Sequence, residues 1–481
     1  MEYPYPDEPT TIKAYQDRVI ATYAEAGRSF PDPNDADAFR WFTRYGYDCH
    51  LMPEPQAAER HLAELREALG LTAPQNPSDV PVCQRPLIGP LRVENKLFRD
   101  DTGYRRVLFC SWFPALRILR DNPAEFTRQL DAIVRAGYQG VRVFLAVGGW
   151  SDYWDGREVA PVSFIKWFYT GNLLRSDRLG ARIEAWDDYD DLLRQLLRAC
   201  KARKLRLHVT CGDMQIICPS LGGERDLHRR FATICQQEGG AEVIALAEVT
   251  NEYPINRMGG DSPDSIAQMG QVIRVWKECC PGVLTAQGAP LSEEPEKLHA
   301  AATYGDVCAV HITRDPFQMC LKRTFGCVNW EGAWRNFPRP FWAGEPAGPG
   351  ADSFAALNAP DALTSLHFMH QILGYGTNWF QGAAVRFRQP LESEWGFVEM
   401  PRILSVLPED VATWDHASDG RGGIMYFFKG NQFVTSTMKD WRNAPPRPVA
   451  SWKLYRGTDV VEGTGNPPDG ITGGLIGAFK E

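Results

Sequence analysis

The sequence predicts an α/β protein built on a (β/α)8 TIM barrel, with an N-terminal helical module and a small C-terminal β region. Three observations lead there. Between residues 106 and 381, eight short runs rich in β-branched and aromatic residues alternate with helical stretches, the pattern of parallel strands joined by crossover helices. These units fill about 290 residues, the size of such a barrel. A doubly wound sheet is the main rival, but no G-x-G-x-x-G follows the first strand and no G-x-x-x-x-G-K-S/T occurs anywhere.

Taken in order, residues 1–71 form the helical module. Apolar residues recur with helical spacing in three pieces, Ile12 to Ala26, Asp35 to Tyr45 and Pro55 to Gly70, separated by the breakers SFPDPND and MPEP. Residues 72–90 carry five prolines and almost no periodicity, which suits an extended linker. The barrel then spans residues 91–400. Its strands are expected at 106–113, 140–147, 205–212, 243–251, 283–288, 307–313, 340–345 and 377–381, with amphipathic helices at 123–136, 186–202, 226–238, 262–279, 295–301 and 353–373. Residues 401–481 change to period-2 alternation. GGIMYFFKGNQFVTSTM reads as a hairpin turning at Lys429–Asn431, ASWKLYRGTDVVEG as another turning at Gly457–Thr458, and the Gly- and Pro-rich end as a loosely ordered tail.

Composition narrows the class. In 481 residues, 44% hydrophobic and 23% charged content supports a large packed core and excludes a wholly disordered chain. Sixty acidic against 52 basic residues give a net charge of −8, without the basic footprint of a nucleic-acid partner. No apolar run approaches the roughly 20 residues of a membrane span, and the start MEYPYPDEPTTIKAYQDRV has neither basic residues first nor an apolar core. These features predict a soluble protein, cytoplasmic or phage-associated, with no membrane partner. The 12 Cys include no C-x-x-C pair and read as buried thiols.

In a barrel of this kind the working groups stand where strands run into the following loops. Two glutamates do so: Glu252 closes VIALAEVTNEY on the fourth strand and Glu345 closes PFWAGEPAG on the seventh. Two carboxylates facing across a cleft can divide labour, one protonating a leaving oxygen while the other attacks or activates water.

With these motifs the chain resembles the retaining glycoside hydrolases of the large (β/α)8 clan that includes many cellulases, mannanases and β-galactosidases. That clan's fourth strand often ends in E-x-x-N-E, as in Glu248-Val249-Thr250-Asn251-Glu252, and its seventh in a Glu followed by small residues, as in Gly344-Glu345-Pro346-Ala347-Gly348. The resemblance covers about residues 90–400. It implies Glu252 as general acid/base, Glu345 as nucleophile and Asn251 as a donor to the sugar 2-hydroxyl. It also implies Arg142 on strand two as a partner of the nucleophile, His311 on strand six as its neighbour, and Trp379 on strand eight as a platform under the sugar. The implied substrate is an oligo- or polysaccharide, and the mechanism needs no cofactor and no metal.

Each residue also has a plainer reading. Glu252 can cap a helix N-terminus, Arg142 can pair with Glu248 as a structural ion pair, and His311 can be a satisfied core histidine. The long aromatic insert after strand two places Trp150 and Trp154, with Asp152, Tyr153, Asp155 and Trp167, where they can stack on or bond sugars or pack a small core of their own. Asp213 follows strand three at the same mouth. His367 and His370 stand three apart on one helix but lack a third metal ligand and read as structural. Two readings other than an enzyme stay open: a non-hydrolytic carbohydrate-binding or structural protein on the same barrel, and a phage-particle component docking through its N-terminal helical module.

Overall fold

The computed structural model describes residues 85–146, 188–212, 221–257, 259–290, 295–311, 337–346, 360–385, 390–418, 425–437 and 445–480, with Val19, Tyr23, Met214, Asn443 and four short strands between 150 and 183. The chain divides into two compact units, Met1–Val80 and Pro81–Glu481. The three expected N-terminal helices lie outside the described residues, apart from Val19 and Tyr23, which are both helical.

All eight expected barrel strands are present: β1 Val107–Ser111, β2 Gly140–Ala146, β3 Arg206–Cys211, β4 Ile244–Glu248, β5 Leu284–Ala286, β6 Cys308–Val310, β7 Phe341–Ala343 and β8 Gly376–Trp379. They pair in the order β5-β4-β3-β2-β1-β8-β7-β6, parallel throughout. The seam between β5 and β6 is bridged just before β6, where the Asp306 and Val307 amides donate to the Thr285 carbonyl at 2.7 and 3.1 Å. The Asp306 carboxylate accepts in return from the Thr285 amide (3.0 Å) and hydroxyl (2.8 Å), so the barrel is nearly closed.

Strand alternation sorts side chains into two layers. Val107, Phe109, Leu246, Leu284, Ala286, Val307, Ala309 and Trp342 fill the barrel floor, joined by Leu91 and Phe98 from the segment that precedes β1. The alternate residues, among them Leu108, Cys110, Val141, Val143, Leu207, Val209, Cys308 and Phe341, pack with the surrounding helices. Those helices include α1 Ala115–Asp121, α2 Pro123–Ala136, α3 Tyr189–Ala202, α4 Leu221–Gln237, α5 Pro263–Cys279, α6 Pro295–Ala301 and α7 Pro360–Ile372. Local signals set their ends. The Asn122 side chain accepts from the Glu125 amide at the start of α2, Gly137 closes that helix at φ 94°, and the Ser262 hydroxyl caps α5.

Helix α7 is buried from Ala362 to Ile372 because both of its sides are covered. One side faces the barrel; the other carries a six-stranded antiparallel sheet in the order β9-β10-β11-β14-β12-β13, from Asp415–Ser418, Met425–Lys429, Gln432–Thr437, Gly473–Phe479, Val449–Arg456 and Asp459–Thr464 respectively. The two expected hairpins are there, turning at Gly430-Asn431 and Gly457-Thr458. The expected loose tail is not: β14 lies in the middle of the sheet, paired on both sides. Its glycines serve close approach rather than flexibility. A Cβ on Gly474 would lie 2.3 Å from the Phe368 ring of α7, and one on Gly477 would lie 2.5 Å from Phe433. The seam also has polar clasps, with Ser365 of α7 bonding the Ser436 hydroxyl (2.8 Å) and the Thr437 carbonyl (2.9 Å).

Six of the seven described cysteines are buried, Cys279 is half-buried, and all seven are free thiols. Among the described residues, no helix is long and apolar enough to cross a membrane.

Candidate active site

At the carboxyl ends of β4, β6 and β7 the interior turns polar, around an arginine from within β2. Arg142 on β2 is fully buried, its guanidinium beside the adjacent rings of Phe113 and Phe144 at 5.2 and 5.3 Å. It donates through Nη1 to Glu345 Oε1 at 2.9 Å, and through Nη2 to Glu248 Oε2 at 3.0 Å and Asn251 Oδ1 at 2.6 Å. One guanidinium therefore holds the ends of strands four and seven together. A buried cation is tolerable only with such partners: burial pushes the Arg142 pKa down, and the two carboxylates more than reverse it. The same side chain thus pairs with Glu248 and with Glu345.

The loop after β4 keeps close to the barrel although the strand ladder ends at Glu248. The Val249 amide bonds the Ala286 carbonyl and the Asn251 amide the Cys211 carbonyl, at 2.9 and 2.6 Å. Gly288 permits this approach, since a Cβ there would sit 2.1 Å from the Thr250 carbonyl oxygen. Glu252 then takes the left-handed conformation, φ 44°, which costs a non-glycine residue about 1–2 kcal/mol. It precedes the one-turn helix Tyr253–Asn256, yet its side chain makes no cap hydrogen bond. The carboxylate instead meets His311 Nδ1 at 3.0 Å, and the same nitrogen stands 3.8 Å from Glu345 Oε1. Gly344 makes room for the imidazole, because a Cβ there would lie 2.9 Å from His311 Nε2.

Glu252, His311 and Glu345 thus offer one atom each within 4.8 Å of one another, the one such group among the described residues whose spacing would also suit a shared cation. The Glu345 side chain is 6% exposed and that of Glu252 21%, so the second has the easier access to solvent.

The structure brings together Arg142, Asn251, Glu252, His311 and Glu345. Trp379 is not with them. Residues alternate along β8, and Asn378 faces the interior, bonding the Gly344 carbonyl at 3.1 Å. Trp379 therefore faces the helix layer, fully buried and edge-on to Phe397 at 5.3 Å, and offers no surface to a sugar. Trp154, Asp152, Tyr153, Asp155, Trp167 and Asp213 lie outside the described residues. Of Trp150 only the backbone is described, in a two-residue strand paired with Val159–Ala160.

Three residues under the site were not singled out from sequence: His208, Trp342 and Asn378. His208 on β3 stands in register with Arg142 and meets Glu248 Oε2 through Nε2 at 3.1 Å. Burial holds its pKa down to about 4, against the pull of Glu248, so it is neutral at pH 7. Burial alone would raise the Glu248 carboxyl, but Arg142 and the His208 bond bring it well below the usual range. The period-2 alternation of LRLHVTC, which sets His208 on one face with Arg206 and Thr210 and opposite Leu205, Leu207, Val209 and Cys211, is the available sequence signal for His208. His367 and His370 are buried on α7 with ring centroids 6.4 Å apart and planes at 84°, and His370 stacks on Tyr375.

No protein-family model matches the chain, and no curated protein matches it by sequence. Solved structures with a related backbone include a β-mannanase of Thermomonospora fusca in complex with mannohexaose (12% identity over 60% of this chain and 84% of that one, TM-score 0.38). Others are an exo-β-1,4-mannosidase from Opitutaceae bacterium strain TAV5 (14%, 65% and 62%, TM-score 0.43) and the catalytic domain of a Streptomyces sp. SirexAA-E mannanase (14%, 68% and 93%, TM-score 0.40).

Proposed function

We propose that the protein is a retaining glycoside hydrolase acting on O-glycosidic bonds of an oligo- or polysaccharide. The observation that carries this reading is the pair of carboxylates at the ends of β4 and β7, with a Glu252 oxygen and a Glu345 oxygen within 4.8 Å. Retaining enzymes need carboxyl groups about 5–5.5 Å apart, and inverting enzymes about 6.5–9.5 Å to admit a water between them.

The environments divide the roles. Glu345 is nearly enclosed and bonded through Oε1 to Arg142, which sets a fixed cation beside the carboxylate. It attacks the anomeric carbon as the leaving oxygen departs, giving a glycosyl ester. Glu252, more exposed and bonded to His311, gives its proton to the leaving oxygen and then takes one from the water that cleaves the ester. Asn251 has its Oδ1 engaged by Arg142, and its amide nitrogen is the donor to a sugar hydroxyl in this reading.

Incubation with a panel of aryl 2-fluoroglycosides, followed by peptide mass spectrometry, tests the assignment. The expected adduct is on the peptide containing Glu345. Glu345→Ala abolishes turnover, and azide restores it with a glycosyl azide of inverted configuration. Glu252→Ala spares the first step for activated leaving groups and slows release of the intermediate. Wild-type turnover in both variants, or carbohydrate binding without turnover of any glycoside, overturns the reading.

A further inference from the structure

Beneath the two carboxylates, the orientation of one buried chain of hydrogen bonds follows from its fixed ends. The Trp342 indole N–H can only donate, and it points at Asn378 Oδ1 at 3.1 Å. The Gly344 carbonyl can only accept, and it lies 3.1 Å from Asn378 Nδ2. Both contacts select the same orientation of the Asn378 amide. Its NH2 group then also faces His208 Nδ1, at 3.4 Å, so that nitrogen must be the acceptor. The imidazole proton belongs on Nε2, aimed at Glu248 Oε2 at 3.1 Å. Direction runs from Trp342 through Asn378 and His208 to Glu248, and all four residues are buried.

Glu248 is where this chain meets the site. Its Oε2 accepts from His208 Nε2 and from Arg142 Nη2, while Nη1 of the same guanidinium holds Glu345. With the proton on Nδ1 instead, an imidazole lone pair would face the carboxylate at 3.1 Å. The repulsion would displace Glu248, and the rigid guanidinium bonded to Glu248 and Asn251 would move with it, away from Glu345.

We propose that Asn378 and His208 are positioning residues: Asn378 locks His208 as the neutral Nε2–H tautomer, and His208 fixes Glu248 so that Arg142 keeps its grip on Glu345. The inference rests on the reading of Glu345 as nucleophile. His208 supplies a directed hydrogen bond and no charge; the charged or titratable groups around it are Glu248, Arg142 and His311. Asn378 also anchors the Gly344 peptide that immediately precedes the nucleophile, so one amide orients both the carboxylate's partner and its backbone.

The test is a nitrogen-15 spectrum of the histidine rings in the full chain at pH 7, with the His208 signals assigned by their loss in His208→Gln. The expected wild-type signature is a neutral ring protonated on Nε2. Asn378→Asp keeps an acceptor for Trp342 but removes the donor, so it should move the proton to Nδ1 or give a doubly protonated ring. It should also lower kcat by about ten-fold to a hundred-fold, the scale of a lost hydrogen bond to a charged group, with KM little changed. His208→Gln, whose amide can still donate to Glu248, should retain more kcat than His208→Leu. A wild-type ring protonated on Nδ1 overturns the inference. So does a near-wild-type kcat in Asn378→Asp, or equal kcat in the Gln and Leu variants. Failure of the glycosidase reading shows separately, as absence of the fluorosugar adduct, while the spectrum still reports the tautomer.

Discussion

The floor and the mouth of the barrel are made by the same eight strands and held by opposite means. On the floor, Trp342 takes Phe98 and Phe109 edge-on at 5.3 and 5.2 Å among Leu246, Leu284 and Val307. At the mouth, one guanidinium serves two carboxylates and an amide, and each bond has a required direction. Burial of apolar surface is non-directional, so a floor side chain can be exchanged for another of similar volume at modest cost. The mouth has no such freedom: removing one member of a buried ionic cluster leaves the others charged and unpaired. Trp342 belongs to both, with its ring in the floor and its N–H at the foot of the polar chain.

Arg142→Leu should break this contrast most severely. It leaves Glu248 and Glu345 buried without their cation, so stability in urea should fall by about 3–5 kcal/mol and turnover should vanish together with it. Leu246→Ala should sharpen the contrast from the other side. A cavity in the floor costs about 2–5 kcal/mol in the same measurement, but the protein that remains folded should keep its kcat, because the mouth's bonds are untouched. Equal loss of kcat in the two variants would show that floor and mouth act as one unit.

The smallest effect separates acid sensitivity of the fold from that of the site. Burial pushes His208 and His367 down to about 4 and His228 to about 3, with the Arg257 charge adding to the last. The unfolded chain takes up these protons near pH 6.5 and the folded one does not. Stability is therefore full above about 6.5 and should fall as pH drops toward 4, by up to about 1.4 kcal/mol per pH unit for each histidine. His228 lies in the helix layer, where it accepts the Trp276 indole N–H at 3.0 Å. His228→Gln keeps an acceptor and should flatten the stability profile while leaving the pH profile of kcat unchanged; an unchanged stability slope would remove His228 from this account.

Much of the architecture was legible from residue pattern. The eight strands follow from alternating apolar runs, and α2 and α6 have the expected bounds because Asn122, Pro123 and Gly137 mark the first and Pro295 opens the second. Strand ends were overestimated where apolar residues leave the ladder yet stay buried, as Val249 does. The glycines of β14 looked like a loose tail, because sequence shows a missing side chain but not the Phe368 ring that requires it to be missing.

What the sequence determined by itself is local: where strands and helices begin, how many there are, and that Glu252 and Glu345 follow the fourth and seventh strands. What only the tertiary structure decided is which face each strand residue presents and which residues from distant strands meet. Strand β8 shows the reason. Its four residues are all buried, so no polar and apolar alternation tells the interior from the helix layer. Closure of the barrel turns Asn378 inward to Gly344 and His208 and turns Trp379 outward to Phe397, and a shift of one residue would have exchanged them.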